Sequence, residues 1–329
     1  MKPSWRLLLA LLGTGLLIAM IRVIGPGVVL DGVRRAGWVL LPIMLVQLGV
    51  YGLNAWSWWL LFDPAQARPS YRRTLGISVT GFALNFITPV VNAGGEPYRV
   101  AVLTPELGLR RATGSVLGYV MVHAVSSLLL WLGAIVTTLV FLPHTGIGTP
   151  ALFGAAALVV VALGVVLSGH RDGVVVRIAA LLSTLRFRRW SAWLEARRDA
   201  FAAIDAELVA LWRDRPNRLV GAIAADTLSR LVGALEFFLI GLALGIPLAF
   251  TTSLAMWGLL ALAMNLFFIF PWELGSREAS IYGVTHLAGA PIEIAALAVV
   301  VGRVRELTWA ALGMIVLWFE TRRARGPTG

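Results

Sequence analysis

Long apolar stretches fill this chain, and short polar segments interrupt them at only a few places. A hydrocarbon layer about 30 Å thick needs about 20 helical residues at 1.5 Å each. Runs of that order lie near 5–24, 38–62, 114–141, 150–168, 218–244 and 291–319, and each predicts a full transmembrane helix. Two further apolar stretches, 74–113 and 251–290, are broken in the middle by the same chemistry. The first break reads NFITPVVNAGGEPYR from Asn85 to Arg99, and the second reads NLFFIFPWELGSREAS from Asn265 to Ser280. In each, a proline is followed seven positions later by a glutamate, Pro89 by Glu96 and Pro271 by Glu278. Glycine lies just before each acid and an arginine stands close by: Gly94, Gly95 and Arg99 in one, Gly275 and Arg277 in the other.

The distribution of arginine orients these elements. The polar stretch 169–217, with arginines from Arg171 to Arg215, and the tail bearing Arg322, Arg323 and Arg325 are expected on the cytoplasmic side. The segments 142–149 and 245–250 hold no Arg or Lys and are expected outside, while Arg34 and Arg35 run against the scheme. Arg68, Arg72 and Arg73 precede the first broken stretch and Arg110 and Arg111 follow it. Residues 74–113 therefore predict a hairpin that enters from the cytoplasm and returns to it. The stretch 251–290 predicts a second hairpin from the opposite face, with a full crossing by 251–270 as the alternative. The fold expected is all-α: one polytopic membrane domain over 1–329, with two re-entrant hairpins in an inverted repeat, 38–141 mirrored by 218–319. Within 190–213, Leu194, Phe201, Ile204, Leu208 and Leu211 share a face, which predicts an amphipathic helix on the cytoplasmic surface.

Composition narrows the function. Of 329 residues, 58% are hydrophobic and only 14% charged, with a mean hydropathy of +0.82, which excludes an ordinary soluble domain. The run after Lys2 and Arg6 is read as a helix that stays attached rather than a cleaved signal. The net charge of +11 is explained by loop arginines and anionic lipid at the cytoplasmic face, not by nucleic acid. The absence of cysteine excludes thiol catalysis and Cys-ligated metal, and no two of the four histidines stand at i, i+4. No nucleotide-binding P-loop occurs, so the driving force expected is a gradient, a partner or none. No metal or cofactor is expected, and no nucleophile–base pair or metal set points to an enzyme.

Charges and helix breakers inside apolar segments are tolerated where they line a protein-buried or watery cavity. The residues expected to bind substrate are therefore Asn92, Gly94, Gly95, Glu96 and Arg99 in the first break and Gly275, Arg277 and Glu278 in the second. Arg303 and Glu306 on the last span join them. A hairpin tip exposes the N-terminus of its returning half-helix, where unpaired N–H groups favour an anion, and the glycines would let backbone approach a phosphate. Arg99 would add a bidentate contact, and Glu96 would balance it in the empty site. The alternative is purely structural, with Glu96–Arg99 and Arg277–Glu278 as ion pairs that lock the tips. Asp226 and Arg230 form a helical i, i+4 pair, Glu236 follows them, and Asn54, Asn85, Asn92, Asn265 and His123 are expected as interhelical hydrogen-bond partners.

These segments resemble a known family. NFITPVVNAGGEPYRVAVL with the following GSVLGYVMVHAVSSLLL, and FPWELGSREASIYGVTHLAG, are similar to the two signatures of the lysylphosphatidylglycerol synthetase transmembrane-region, or flippase-like, family. The resemblance runs over about 38–319 and implies a bundle with re-entrant helices, a lipid-sized groove and a lipid site at Gly94, Gly95, Glu96, Arg99, Gly275 and Glu278. The second segment reads ELGSRE, without the double glycine of the family pattern. The soluble aminoacyl-transferring domain of the synthetases is not present in the sequence. The function this implies is transport of a phospholipid, isoprenoid or other lipid-linked head group between leaflets of the bacterial inner membrane, with both termini cytoplasmic. A scaffold in envelope-lipid biosynthesis and a lipid-modifying enzyme are the alternatives. A second copy of the chain, or a lipid-biosynthesis protein, stays open as a further partner.

Overall fold

Buried in hydrocarbon, a backbone must satisfy its own N–H and C=O groups, and helices do this within one segment. The computed structural model describes residues 34–88, 94–142, 148–168, 209–267 and 275–323, with Ala206 and scattered positions between 11 and 30. The expected span at 5–24, most of 169–217 with its amphipathic stretch, and Pro89, Asn92, Pro271 and Glu273 lie outside the described residues, apart from those scattered positions. All regular structure among the described residues is helical. In chain order the helices are α1 (Leu40–Leu61, entered through a 3-10 turn at Gly37–Val39), α2 (Tyr71–Ile87), α3 (Gly95–Leu107), α4 (Leu109–Phe141) and α5 (Gly148–Ser168). They continue as α6 (Pro216–Gly233), α7 (Leu235–Ala243), α8 (Phe250–Leu266), α9 (Ser276–Leu287) and α10 (Ile292–Arg323). Hydroxyls on these helices return to their own backbone: Thr104, Thr138 and Thr308 donate to carbonyls four residues earlier at 2.7, 2.8 and 2.7 Å.

The ends fall at breakers the sequence supplies. Ser70, after Pro69, caps α2 by accepting the Arg73 N–H at 3.3 Å. A single residue, Gly108 at φ +76°, turns α3 into α4, and Gly289 at φ +62° stands in the short turn from α9 to α10, both in the left-handed region that glycine occupies without strain. The expected single span 218–244 is instead two helices. At Ala234 the N–H bonds Leu231 O at 3.1 Å, a tightened turn. Beside this turn, the Trp257 ring packs where a side chain at Gly233 would stand.

Among the described residues, three helical stretches are long and apolar enough to cross a membrane: Arg34–Leu61, Leu109–Phe141 and Thr149–Leu167. These match the expected spans at 38–62, 114–141 and 150–168. The helix of the expected last span is continuous over Ile292–Arg323 but carries Glu293, Arg303, Arg305 and Glu306. α8 is apolar but only 17 residues long.

Packing joins the first and second halves of the chain. α1 lies along α6, α2 packs on α10, and α8 packs on α4, while α2 also meets α3 and α8 meets α9. Two of these crossings are close because small residues meet. A β-carbon at Gly258 of α8 would overlap Ala134 of α4, and one at Gly313 of α10 would overlap Ala83 and stand 3.0 Å from Val79 O of α2. Apolar side chains form two cores. One gathers α2 and α3 with Trp58 of α1, Tyr119 of α4, Leu219 of α6 and Leu317 of α10. The other gathers α8 and α9 with Ile43 of α1, Ile135 of α4, Phe237 of α7 and Ile294 of α10. α1, α4 and α10 thus each give one end to each core.

Candidate functional site

At the first break, α3 begins at Gly95 and turns back against α2. A β-carbon on Gly95 would overlap Gly81 O and the Asn85 side chain, so this glycine is required for α3 to lie on α2. That corrects the expectation that the glycines open backbone to a phosphate. The Gly95 N–H is likewise spoken for, donating to Asn85 Oδ1 at 2.6 Å, while Asn85 Nδ2 donates to Glu96 Oε1 at 3.1 Å. Glu96 is partly exposed and stands 3.5 Å from Arg99, one turn on. The Arg99 side chain is 1% exposed, with its guanidinium against the rings of Phe82, Tyr119 and Trp58 at 4.8, 5.2 and 5.5 Å. Its Nε and Nη2 have no hydrogen-bond acceptor. Beside this box, His123 stacks on Tyr119 and its Nδ1 lies 3.2 Å from Asp226 Oδ1. Arg230 closes the group, with Nε 3.3 Å from Asp226 Oδ2 and Nη2 donating to His123 O at 3.0 Å.

The second break carries a larger ionic cluster. Gly275, at φ +80°, precedes α9, and its N–H donates to Glu278 Oε2 at 2.7 Å. The other oxygen of Glu278 accepts both Nε and Nη2 of Arg303 on α10, at 3.0 and 2.7 Å. Arg277 pairs with Glu306 of α10, and Arg303 Nη1 lies 3.7 Å from the same carboxylate. Arg305 completes the set: Nε stands 3.1 Å from Glu236 Oε2 on α7, Nη2 stands 3.8 Å from Glu306, and Nη1 donates to Gln47 Oε1 of α1 at 2.5 Å. Three arginines thus meet three glutamates, all partly or wholly buried.

Two expectations change here. Arg277 and Glu278 do not pair with each other, because successive helix residues point about 100° apart; each takes a partner on α10. One N–H at each break is held by a side chain: Gly95, at the start of α3, by Asn85, and Gly275, just before α9, by Glu278. Arg303 and Glu306 of the last span lie against Glu278 and Arg277. Asn92 lies outside the described residues. Asn54 accepts from Ser229 at 3.0 Å, an interhelical bond as expected, but Asn265 is exposed and donates to its own helix at Ala261 O. Gln47, Glu236 and Arg305 were not in the expected site. The signal for the last two was available, an ionisable residue inside an apolar run.

An aromatic path joins the clusters. Phe82, which faces Arg99, stacks on Tyr51 at 5.1 Å, and Tyr51 meets Trp309 edge-on at 4.9 Å, one turn from Gln47 and the Arg305 helix. The second cluster opens into a cavity of about 240 Å³ where Arg277, Arg305 and Glu306 face Trp257, Leu260 and Met264. Charged groups on one wall and apolar side chains on the other suit a molecule with a polar head and a hydrocarbon body. Among the described residues no group of three His, Asp or Glu is placed to hold a metal ion.

A "UPF0104 membrane protein" of Methanothermobacter thermautotrophicus is 31% identical over 98 residues, a stretch that is 29% of this chain and 29% of that protein. The match thus spans under a third of the relative's length. No solved structure matches. The model of a family described as "Lysylphosphatidylglycerol synthase TM region" matches residues 5–313. With a match over nearly its whole length and with its apolar helices, this membrane protein belongs to the lysylphosphatidylglycerol synthase transmembrane-region family.

Proposed function

We propose that the protein is a non-catalytic lipid transporter that moves a phospholipid or other lipid-linked head group between membrane leaflets. The observation that carries this is the cavity where Arg277, Arg305 and Glu306 share walls with Trp257, Leu260 and Met264. A phosphate-bearing head would exchange partners with the ionic cluster while its acyl chains stay among apolar side chains. Because Arg277, Arg303 and Arg305 are balanced by Glu236, Glu278 and Glu306, a visiting phosphate would loosen existing pairs rather than meet naked charge.

The proposed path is an inverted repeat with two re-entrant hairpins, 38–141 against 218–319. Three observations support it. The hairpin helices match in length, 17 and 13 residues in α2 and α3 against 17 and 12 in α8 and α9. At about 1.5 Å per residue none exceeds about 26 Å, short of a full crossing with polar flanks. The hairpins exchange partners reciprocally, α2 on α10 and α8 on α4, and each sits in its own core at opposite ends of the long helices. The proposed setting is the bacterial inner membrane with both termini cytoplasmic, and the head group would pass Glu96 and Arg99 at one tip and Arg277 and Glu278 at the other.

The test is transbilayer movement of fluorescent phosphatidylglycerol in proteoliposomes, read by quenching from outside. Glu306→Gln and Arg99→Lys are expected to lower the rate at least several-fold while detergent-solubilised variants elute and unfold as folded proteins. Wild-type rates in both folded variants would sink the reading.

A further inference from the structure

Where α1 runs into the 62–70 loop, arginines gather with too little acid to balance them. Arg218 Nε donates to Leu60 O at 2.8 Å, which fixes its guanidinium on the last turn of α1. Arg68 and Arg215 are the cations that act on Arg218, with Asp63 as the neighbouring anion. Asp63 already accepts the Ala65 N–H at 2.9 Å and Gln66 Nε2 at 3.0 Å, and stands 3.8 Å from Arg215. The Ala65 N–H first, then Arg215, hold its carboxyl below the ordinary range, so it stays charged. Even so, Arg68 Nη1 and Arg218 Nη2 are buried with no hydrogen-bond acceptor, and Arg215 Nη1 has only the 3.8 Å ion pair with Asp63. A buried cationic donor without an acceptor is costly, and two of them beside a weakly paired third call for a further anion. Arg215 also lines, with Asp63, Gln66, Arg110, Arg111 and Ser115, a cavity of about 120 Å³, several times the space one water needs.

Arg68 links this cluster to an apolar feature. Its guanidinium carbon sits 4.3 Å from the centre of the Trp59 ring. Trp59 in turn lines a groove of about 520 Å³ with Gly49, Gly52, Leu53, Trp56 and Tyr71, on the outer face of a helix long and apolar enough to span the bilayer. Nothing lies within 4 Å of where a β-carbon on Gly49 would stand, so the groove floor is open.

We propose that this is a binding site for an anionic phospholipid of the leaflet on the arginine-rich face, with the phosphate held by Arg68, Arg215 and Arg218 and an acyl chain laid in the groove along Gly49, Trp56 and Trp59. A free phosphate would answer the arginines and leave the groove empty; a lipid uses both. The site shares no residue with the ionic clusters of the proposed transport path, so the lipid here is a resident that holds α1, the 62–70 loop and the start of α6 together.

The experiment is thermal unfolding of the purified full chain in detergent, titrated with short-chain phosphatidylglycerol, short-chain phosphatidylcholine or inorganic phosphate. Phosphatidylglycerol is expected to raise the Tm and the other two not. Arg215→Gln with Arg218→Gln, and separately Gly49→Phe, are expected to weaken the phosphatidylglycerol response about tenfold. Arg213→Gln, at an exposed position lining neither feature, is expected to keep it. Equal responses to the two lipids, or a response to inorganic phosphate that Gly49→Phe leaves unchanged, would overturn the proposal. Lipid movement in proteoliposomes is expected to persist in the Arg215→Gln, Arg218→Gln protein, so this site and the transport path fail or stand separately.

Discussion

Glu236 and Arg305 show what a buried pair is worth in this protein. Each side chain is 8% exposed and they stand 3.1 Å apart, on α7 and α10. Removing Glu236 leaves Arg305 only Gln47 and the 3.8 Å contact with Glu306, whereas removing both partners takes the two buried charges away together. Glu236→Gln is therefore expected to destabilise by about 3 kcal/mol, and Glu236→Leu with Arg305→Leu by clearly less than the sum of the two single changes. Unfolding midpoints of the four proteins in one detergent give the coupling, and strictly additive costs would show that the pair is inert. The sequence marks such residues because a charge in an apolar run stands out: Glu96, Arg99, Arg277, Glu278, Arg303 and Glu306 all fall in or beside the two clusters. What it does not carry is who pairs with whom. Arg277 and Glu278 are adjacent in sequence yet bind different residues of α10, since neighbours on a helix diverge and the partner is chosen by packing.

Helix contacts here are decided by the smallest side chains. Gly313 lets α10 lie on α2 so closely that a β-carbon would overlap Ala83, whereas nothing lies within 4 Å of the same position on Gly133 of α4. Lipid tails are as apolar as leucine, so close packing rather than water exclusion drives helices together. Gly313→Leu is expected to cost about 1–3 kcal/mol from overpacking. Gly133→Leu, at an exposed helical position, is expected to gain up to about 1 kcal/mol from helix propensity. Thermal unfolding of the two variants side by side checks both signs. A second contrast sits at Gly95, where Ala is expected to push α3 off α2 and lower the Tm, since its β-carbon meets Gly81 O and Asn85. The same physics separates the legible elements from the others. Uninterrupted apolar runs announced α1, α4 and α5, and Pro–Gly clusters announced both hairpin breaks. The turn at Ala234 had only Gly233 as a local mark, and the Trp257 ring that packs on that glycine comes from α8, far along the chain.

At the scale of the whole molecule, arginine counting and periodicity yield the expectation of mirrored halves, and side-chain packing supplies a reason for it. α2 packs on α10 of the second half and α8 on α4 of the first. In the proposed inverted repeat, a hairpin that enters and leaves on one face would have its apolar sides covered in this way. That exchange orients the hairpins oppositely only if neither α2 nor α8 crosses fully, and for α8 the sequence left both outcomes open because 251–270 is apolar throughout. The chain has no cysteine, so single introduced cysteines report position without a background to remove. Gln66→Cys and Leu109→Cys, at exposed ends flanking the first hairpin, are expected to react with an impermeant maleimide from the arginine-rich face only. Leu244→Cys and Ile292→Cys, flanking the second, are expected to react from the opposite face only. Asn265→Cys decides the remaining alternative. It stands at the exposed end of α8, tied to nothing but its own helix. With α8 re-entrant, a cysteine there stays shielded at the arginine-rich face, where Leu109→Cys is labelled. With α8 crossing fully, the two label alike from that face, and the inverted repeat would have to be abandoned even though the ionic clusters would stand.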